Sequence, residues 1–274
     1  MLLARADRTM LVSALRARSL DRTLTTALPT VDPLDDQAVG STGVASMDAR
    51  LGGGLPRGHL SEIVGPRSSG RTSLLIQVIA AATSRGELVA LIDALDMLDV
   101  ASLAAAGVDL SRLLWIRGHV VTSPGLCRDL NGRAMEQAVK ALGLVLQAGN
   151  FGLVVLDVGD APHDAVRRLP FTTWLRLQRM IEGSQTIGVL AGHTPISRSS
   201  AGLTITLQPA GGVSGVPGNR LESAGLESPR LDSAGRFEGC LLDGLDIEAR
   251  VLRARVQASD AAALPIRTRT ACHV

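Results

Sequence analysis

Gly65-Pro66-Arg67-Ser68-Ser69-Gly70-Arg71-Thr72 has the spacing of a phosphate-binding loop, G-x-x-x-x-G-[K]-[ST], with arginine in the lysine slot. Glycines let backbone N–H groups turn inward around phosphate oxygens, and a helix beginning at the loop's end adds partial positive charge. Thr72 offers a hydroxyl to magnesium. Arg71 keeps the lysine's charge but spreads it over a wide planar fork, so it replaces the charge without the geometry. The other half of such a site is an aspartate that ends an apolar strand, and "GLVVLD" (152–157) supplies Asp157. By itself such an aspartate is a turn or cap residue; with the loop upstream it becomes a carboxylate for magnesium. The chemistry expected is binding of ATP or ADP with Mg.

Such a site needs a strand before the loop, a helix after it and further strands alongside. Apolar strand-like runs stand at 59–65, 88–93, 113–117, 152–157, 186–192 and 203–208, with helix-like segments near 72–84, 97–106, 130–148 and 163–182. Near-continuous apolar strands alternating with helices predict an α/β fold, a mostly parallel twisted sheet flanked by helices. Residues 2–18 place Leu3, Met10, Leu11 and Leu15 on one side of a helix with arginines opposite. Two roles fit that helix: packing on its own domain, or docking as an arm on a neighbour. Alternation of apolar and charged residues in "DIEARVLRARV" (246–256) suits an edge or antiparallel strand. The expected organisation is a helical arm (1–25), a Pro/Gly/Asp-rich linker (26–43), a P-loop core (44–208), a Gly/Ser/Pro-rich flexible loop (209–236), C-terminal strands completing the core (237–258) and a loose tail (259–274).

Composition narrows the partners. Aromatic residues make up only 2% of the chain and tyrosine is absent, so aliphatic residues must fill the interior and a nucleic-acid site built on stacking platforms is disfavoured. A net charge of +2 is too small to signal a polyanion partner by itself. Of the 28 Lys plus Arg, only Lys140 is lysine, so part of the substitution at position 71 reflects a chain-wide preference. Cys127, Cys240 and Cys272 have neither disulfide-framework nor metal spacing, which points to a reducing compartment. With no apolar run of membrane-spanning length, and Arg5, Asp7 and Arg8 where a signal peptide is apolar, the expectation is a cytoplasmic protein with no membrane partner.

The block "STGVASMDARLGGGLPRGHLSEIVGPRSSGRTSLLIQVIAAA" resembles the bacterial RecA recombinases, and the resemblance continues in "ALIDALDMLD", "AAAGVDLSRLLWIRG" and "GLVVLD". It covers residues 41–208 well and 246–256 more weakly, and implies a RecA-like P-loop core. It also exposes departures. The family's water-activating glutamate falls on Leu95, with Asp96 one residue out of register; a general base contributes about 10²–10⁴-fold in rate, so hydrolysis should be feeble. The aromatic group beside the adenine falls on Ser102, although Asp99 stands where the family contacts the base. The polar residue that senses the γ-phosphate matches His193, for which a purely structural role fits equally. Arg253 and Arg255 match basic residues that reach a neighbour's nucleotide in RecA filaments; alternating arginines on one strand are also simply a solvated face.

The family's long DNA-binding loops are cut short here. Only Arg198 and some hydroxyls remain in the loop 193–202, and Arg167 and Arg168 in the loop 158–170. Phosphate contacts need little more, but stretching a strand needs a longer loop. Three functions compete. One is a RecA-like accessory protein of DNA repair and damage tolerance, resembling the ImuA-type factors of the SOS response and translesion synthesis, docking on a RecA-type recombinase or a translesion polymerase subunit, with self-association and single-stranded DNA as further partners. The second is a DNA-dependent ATPase acting in recombination. The third is a nucleotide-binding regulatory domain without a DNA role.

Overall fold

The computed structural model describes residues 38–119, 128–159, 161–197, 202–209, 230–231, 237–238, 244–254 and 263–269. Its centre is an eight-stranded sheet. The strands that carry the site are β3 (Leu60–Val64), β4 (Val89–Asp93), β5 (Leu113–Arg117), β6 (Leu153–Gly159), β7 (Ile187–Gly192) and β8 (Leu203–Pro209). Two further strands, β11 (Gly244–Ala254) and β12 (Leu264–Arg269), complete it in the order β12-β11-β8-β3-β7-β6-β4-β5. All pairings from β8 to β5 are parallel, whereas β11 runs antiparallel to both β8 and β12. Small hairpins pair β1 (Val39–Gly40) with β2 (Leu55–Pro56), and β9 (Arg230–Leu231) with β10 (Phe237–Glu238).

Strand alternation sorts the core into two layers. Val89 and Leu91 of β4, with Leu153 and Val155 of β6, face a layer built by α1 (Ala45–Arg50), α2 (Arg71–Ser84) and α3 (Val100–Ala105). Ala90 and Ile92, with Val154, Leu156 and Val158, face the opposite layer, built by α4 (Arg128–Ala148), α5 (His163–Arg167) and α6 (Phe171–Ile181). Both faces are covered, which is why the central strands read as unbroken apolar runs.

Several expected boundaries move. The single helix expected over 163–182 is two, because Pro170 cannot continue a helix and instead opens α6 with extended backbone (φ −60°, ψ 142°). The tail expected to be loose from 259 contains β12, whose Ile266 is 6% exposed and joins the core. The flexible loop expected over 209–236 includes β9, and β10 pairs with it rather than with the main sheet. The core starts before residue 44: the Asp48 carboxylate accepts hydrogen bonds from the Ser41 and Thr42 hydroxyls and the Thr42 N–H, at 2.6–2.8 Å. The N-terminal arm (1–25), Arg198 and Arg255 lie outside the described residues.

At the end of the sheet away from the phosphate loop, Glu87 is fully enclosed between two arginines. Its carboxylate accepts from Arg57 and from Arg85, whose Nε lies 3.1 Å away. Arg57 also donates to the Gln185 carbonyl at 2.7 Å, and Arg85 to the Ser41 carbonyl at 2.9 Å, so one buried carboxylate ties together three stretches of chain.

Candidate functional site

The segment 65–72 turns from β3 into α2. Two left-handed residues, Ser68 (φ 59°) and Gly70 (φ 80°), make the turn, and Gly70 is the residue that starts the helix. Successive N–H groups in such a bend converge on a concavity suited to an anion. Gly70 meets a second demand. A Cβ there would lie 2.8 Å from the Ile247 side chain, so β11 props the loop from beneath and leaves no room for any other residue. Ser69 is 1% exposed, and its hydroxyl has no hydrogen-bond partner within the protein.

Arg71 is buried beside this cradle. It is 8% exposed, and its Nη1 donates to the carbonyl of Gly65, the loop's own first residue, at 2.7 Å. The guanidinium is thus turned back onto the backbone of the loop, where the expected lysine would point toward phosphates. Thr72 is exposed at the first turn of α2. The concavity, the unpartnered Ser69 hydroxyl and the exposed Thr72 fit a magnesium-bound polyphosphate: loop amides for its oxygens, Thr72 and Asp157 on the metal side.

Asp157 stands near the end of β6, directly opposite Asp93 of β4 in the parallel register. The two carboxylates serve different segments. Asp157 Oδ1 accepts from the Gly159 N–H at 2.7 Å, whereas the buried Asp93 accepts from the N–H groups of Leu95 (3.3 Å) and Leu98 (2.9 Å). Asp93 thereby shapes the turn that presents Leu95. That leucine packs over Gly159, whose φ of 49° and missing side chain both permit the approach.

Asp96 follows in left-handed backbone (φ 57°), which aspartate tolerates. Its carboxylate is gripped by Arg117 in two 2.6 Å hydrogen bonds, and this guanidinium holds it below the ordinary carboxylate range. Arg117 in turn lies 4.9 Å over the Trp115 ring. Asp99 is the N-cap of α3, accepting from Ser102 Oγ and from the Ser102 and Ala101 N–H groups. The Ser102 hydroxyl first, and those N–H groups after it, keep its carboxyl below the usual range.

His193 is exposed just past β7 and lines one cleft together with Pro66 and Arg67 of the phosphate loop and Gly159 after β6. Arg167 ends α5, and Arg168 sits 3.6 Å from Asp129. Arg253 lies in β11 opposite Thr204, after a register shift at Val251. The structure therefore gathers the loop, Asp157, Leu95 and His193 around the ends of β3, β6 and β7, while Asp96 is committed to Arg117 and Asp99 to a helix cap.

A residue that sequence reasoning missed is Glu62. It is 0% exposed in β3, and its Oε1 accepts from the Ile196 and Ser197 N–H groups at 2.7 Å each. Its Oε2 accepts from Thr204 Oγ1 at 3.0 Å. The strand carrying the phosphate loop is thus pinned to the segment following His193. The signal was a carboxylate inside a strand expected to be covered on both faces, because a glutamate is buried there only when it is paired.

Among the described residues no helix is long and apolar enough to cross a membrane. Residues 30–161 match the model of the RecA N-terminal domain. The chain is 38% identical over 118 residues to Protein RecA of Desulfotalea psychrophila and 40% identical over 125 residues to Protein RecA of Deinococcus radiodurans. These stretches are 43% and 45% of this chain but only 29% and 30% of the relatives, so the chain spans less than a third of the length of the curated relatives it matches. Residues 30–161 are therefore similar to the RecA N-terminal domain, and the mostly parallel eight-stranded sheet with helices on both faces is a RecA-like α/β fold.

Proposed function

We propose that the protein is a RecA-like accessory factor of DNA repair and damage tolerance, acting in the SOS response and translesion synthesis. It binds ATP or ADP with Mg weakly and works by docking on a RecA-type recombinase or a translesion polymerase subunit. The observation that carries this reading is Leu95 seated against Gly159 while the neighbouring carboxylate, Asp96, is committed to Arg117. A leucine cannot accept a proton from water, and a carboxylate already paired to a guanidinium is a poor base. Arg71 anchored on the Gly65 carbonyl supports weak binding, since a phosphate must compete for that guanidinium.

A DNA-dependent ATPase is the second reading, favoured by the intact cradle and the exposed Thr72. Steady-state phosphate release with and without single-stranded DNA separates the two. The docking reading expects negligible turnover in both conditions and RecA or polymerase binding that survives Thr72→Ala. DNA-stimulated turnover abolished by Thr72→Ala overturns it.

A further inference from the structure

The phosphate loop and the segments leaving β6 and β7 enclose a cleft of about 760 Å³. A second hollow of about 370 Å³ adjoins it, and the two share His163, Val166, Thr194 and Ile196 in their walls. Together they form one trough, with Arg67 lining one part and Arg167 and Phe171 the other. Its lining is of two kinds. Val158, Ala161, Val166 and Ile196 give aliphatic surface, while Arg67, Arg167, His163 and His193 give cationic or proton-donating groups. Among the described residues no carboxylate lines either hollow. The floor is held in shape from behind, because Glu62 fixes the backbone N–H groups of Ile196 and Ser197.

We propose that this trough binds an acidic, aliphatic-rich peptide segment of a partner protein. Aliphatic side chains of the partner fill the apolar floor, and its carboxylates meet the basic groups around it, a pairing that selects by charge as well as by shape. A nucleic-acid strand suits the same trough less well. Bases stack best on large exposed rings, yet of the indole and phenyl rings in the lining Trp174 is only 2% exposed, which leaves Phe171 beside the smaller imidazoles of His163 and His193. A backbone of phosphates also gains little from an aliphatic floor. The inference deepens the docking function proposed above and rests on that reading for the partner's being a protein; because the trough shares Pro66, Arg67, Gly159 and His193 with the nucleotide site, peptide binding is measured without nucleotide.

The test is fluorescence anisotropy with the full chain and three labelled probes of equal length: a peptide of alternating leucine and aspartate, the same peptide with lysine for aspartate, and an oligothymidylate. The acidic peptide should bind, and the lysine peptide should bind at least about tenfold more weakly. Arg167→Glu, on an exposed position, and Val166→Asp should each weaken the acidic peptide by about tenfold or more, with unchanged thermal midpoints for Arg167→Glu. Failure of the acidic peptide to bind, or binding untouched by Arg167→Glu, overturns the proposal. Oligothymidylate binding that is lost in Arg167→Glu and competes with the peptide would give the trough to single-stranded nucleic acid instead. Vigorous nucleotide turnover would sink the docking reading while leaving the peptide result standing, so the two failures are distinguishable.

Discussion

Leu95 lies so close over Gly159 that a methyl group on the glycine would come within 2.6 Å of Leu95 Cδ1. On the function proposed above, the leucine stands beside the end of β6 at the position from which a water-activating group would face Asp157. Leu95→Glu combined with Arg71→Lys should therefore raise ATP hydrolysis by about 10²-fold over the parent chain, the lower end of what a positioned base contributes. Single-turnover phosphate release checks this, and an unchanged rate would mean that Leu95 does not stand where water is activated.

Asp96 and Arg117 give a pH signature. The carboxyl titrates below the usual Asp range in the folded chain because Arg117 bonds it. A depressed folded value contributes stability that is fully present above the unfolded value, about 3.9, and is lost as pH falls through the folded one. Carbon-detected NMR titration of Asp96 should give a midpoint below that of an exposed aspartate. In Arg117→Ala the midpoint should move up. No movement would separate the shift from the arginine.

Glu62 should matter to the segment after His193 more than to the sheet. Glu62→Ala removes the acceptor of the Ile196 and Ser197 N–H groups and leaves them unpaired, at a cost of about 1–3 kcal/mol. Amide hydrogen exchange at Ile196 and Ser197 should accelerate in this variant before exchange in β3 does. Uniform acceleration through β3 and β7 would instead assign Glu62 to the sheet as a whole.

Glu87 carries a different weight. Removing it in Glu87→Ala leaves Arg57, 4% exposed at its side chain, without its carboxylate, and breaking a buried pair costs about 3–5 kcal/mol. Urea unfolding should show that loss with an unchanged slope. Because this cluster lies at the other end of the sheet, nucleotide affinity measured below the transition should be unaffected.

The parts of this fold that could be read from the sequence were those governed by a single local rule. β5 was legible as "LLWIR" because a short apolar run between helices has few alternatives. The tight turn at 65–72 was legible because glycine spacing is dictated by backbone conformation, and Gly70 does adopt the left-handed geometry, as does Ser68. Partners distant in sequence were not legible. Alternation in 246–256 indicated a strand but not that Ile247 would lie under Gly70. "LPIRTR" was hidden because proline and two arginines disguise a strand that sends Ile266 into the core. Asp96 and Asp99 looked like site carboxylates by position, and only their partners, Arg117 and the start of α3, reveal how each is employed.

Ile247 beneath Gly70 has a consequence for how this chain is made. The loop at 65–72 is translated before the strands of the parallel sheet that follow it, and Ile247 only after them. A nascent chain translated only through β8 holds that loop without the side chain that lies beneath Gly70. A nonsense codon just after β8 would leave the entire motif intact in sequence but strip away its underside.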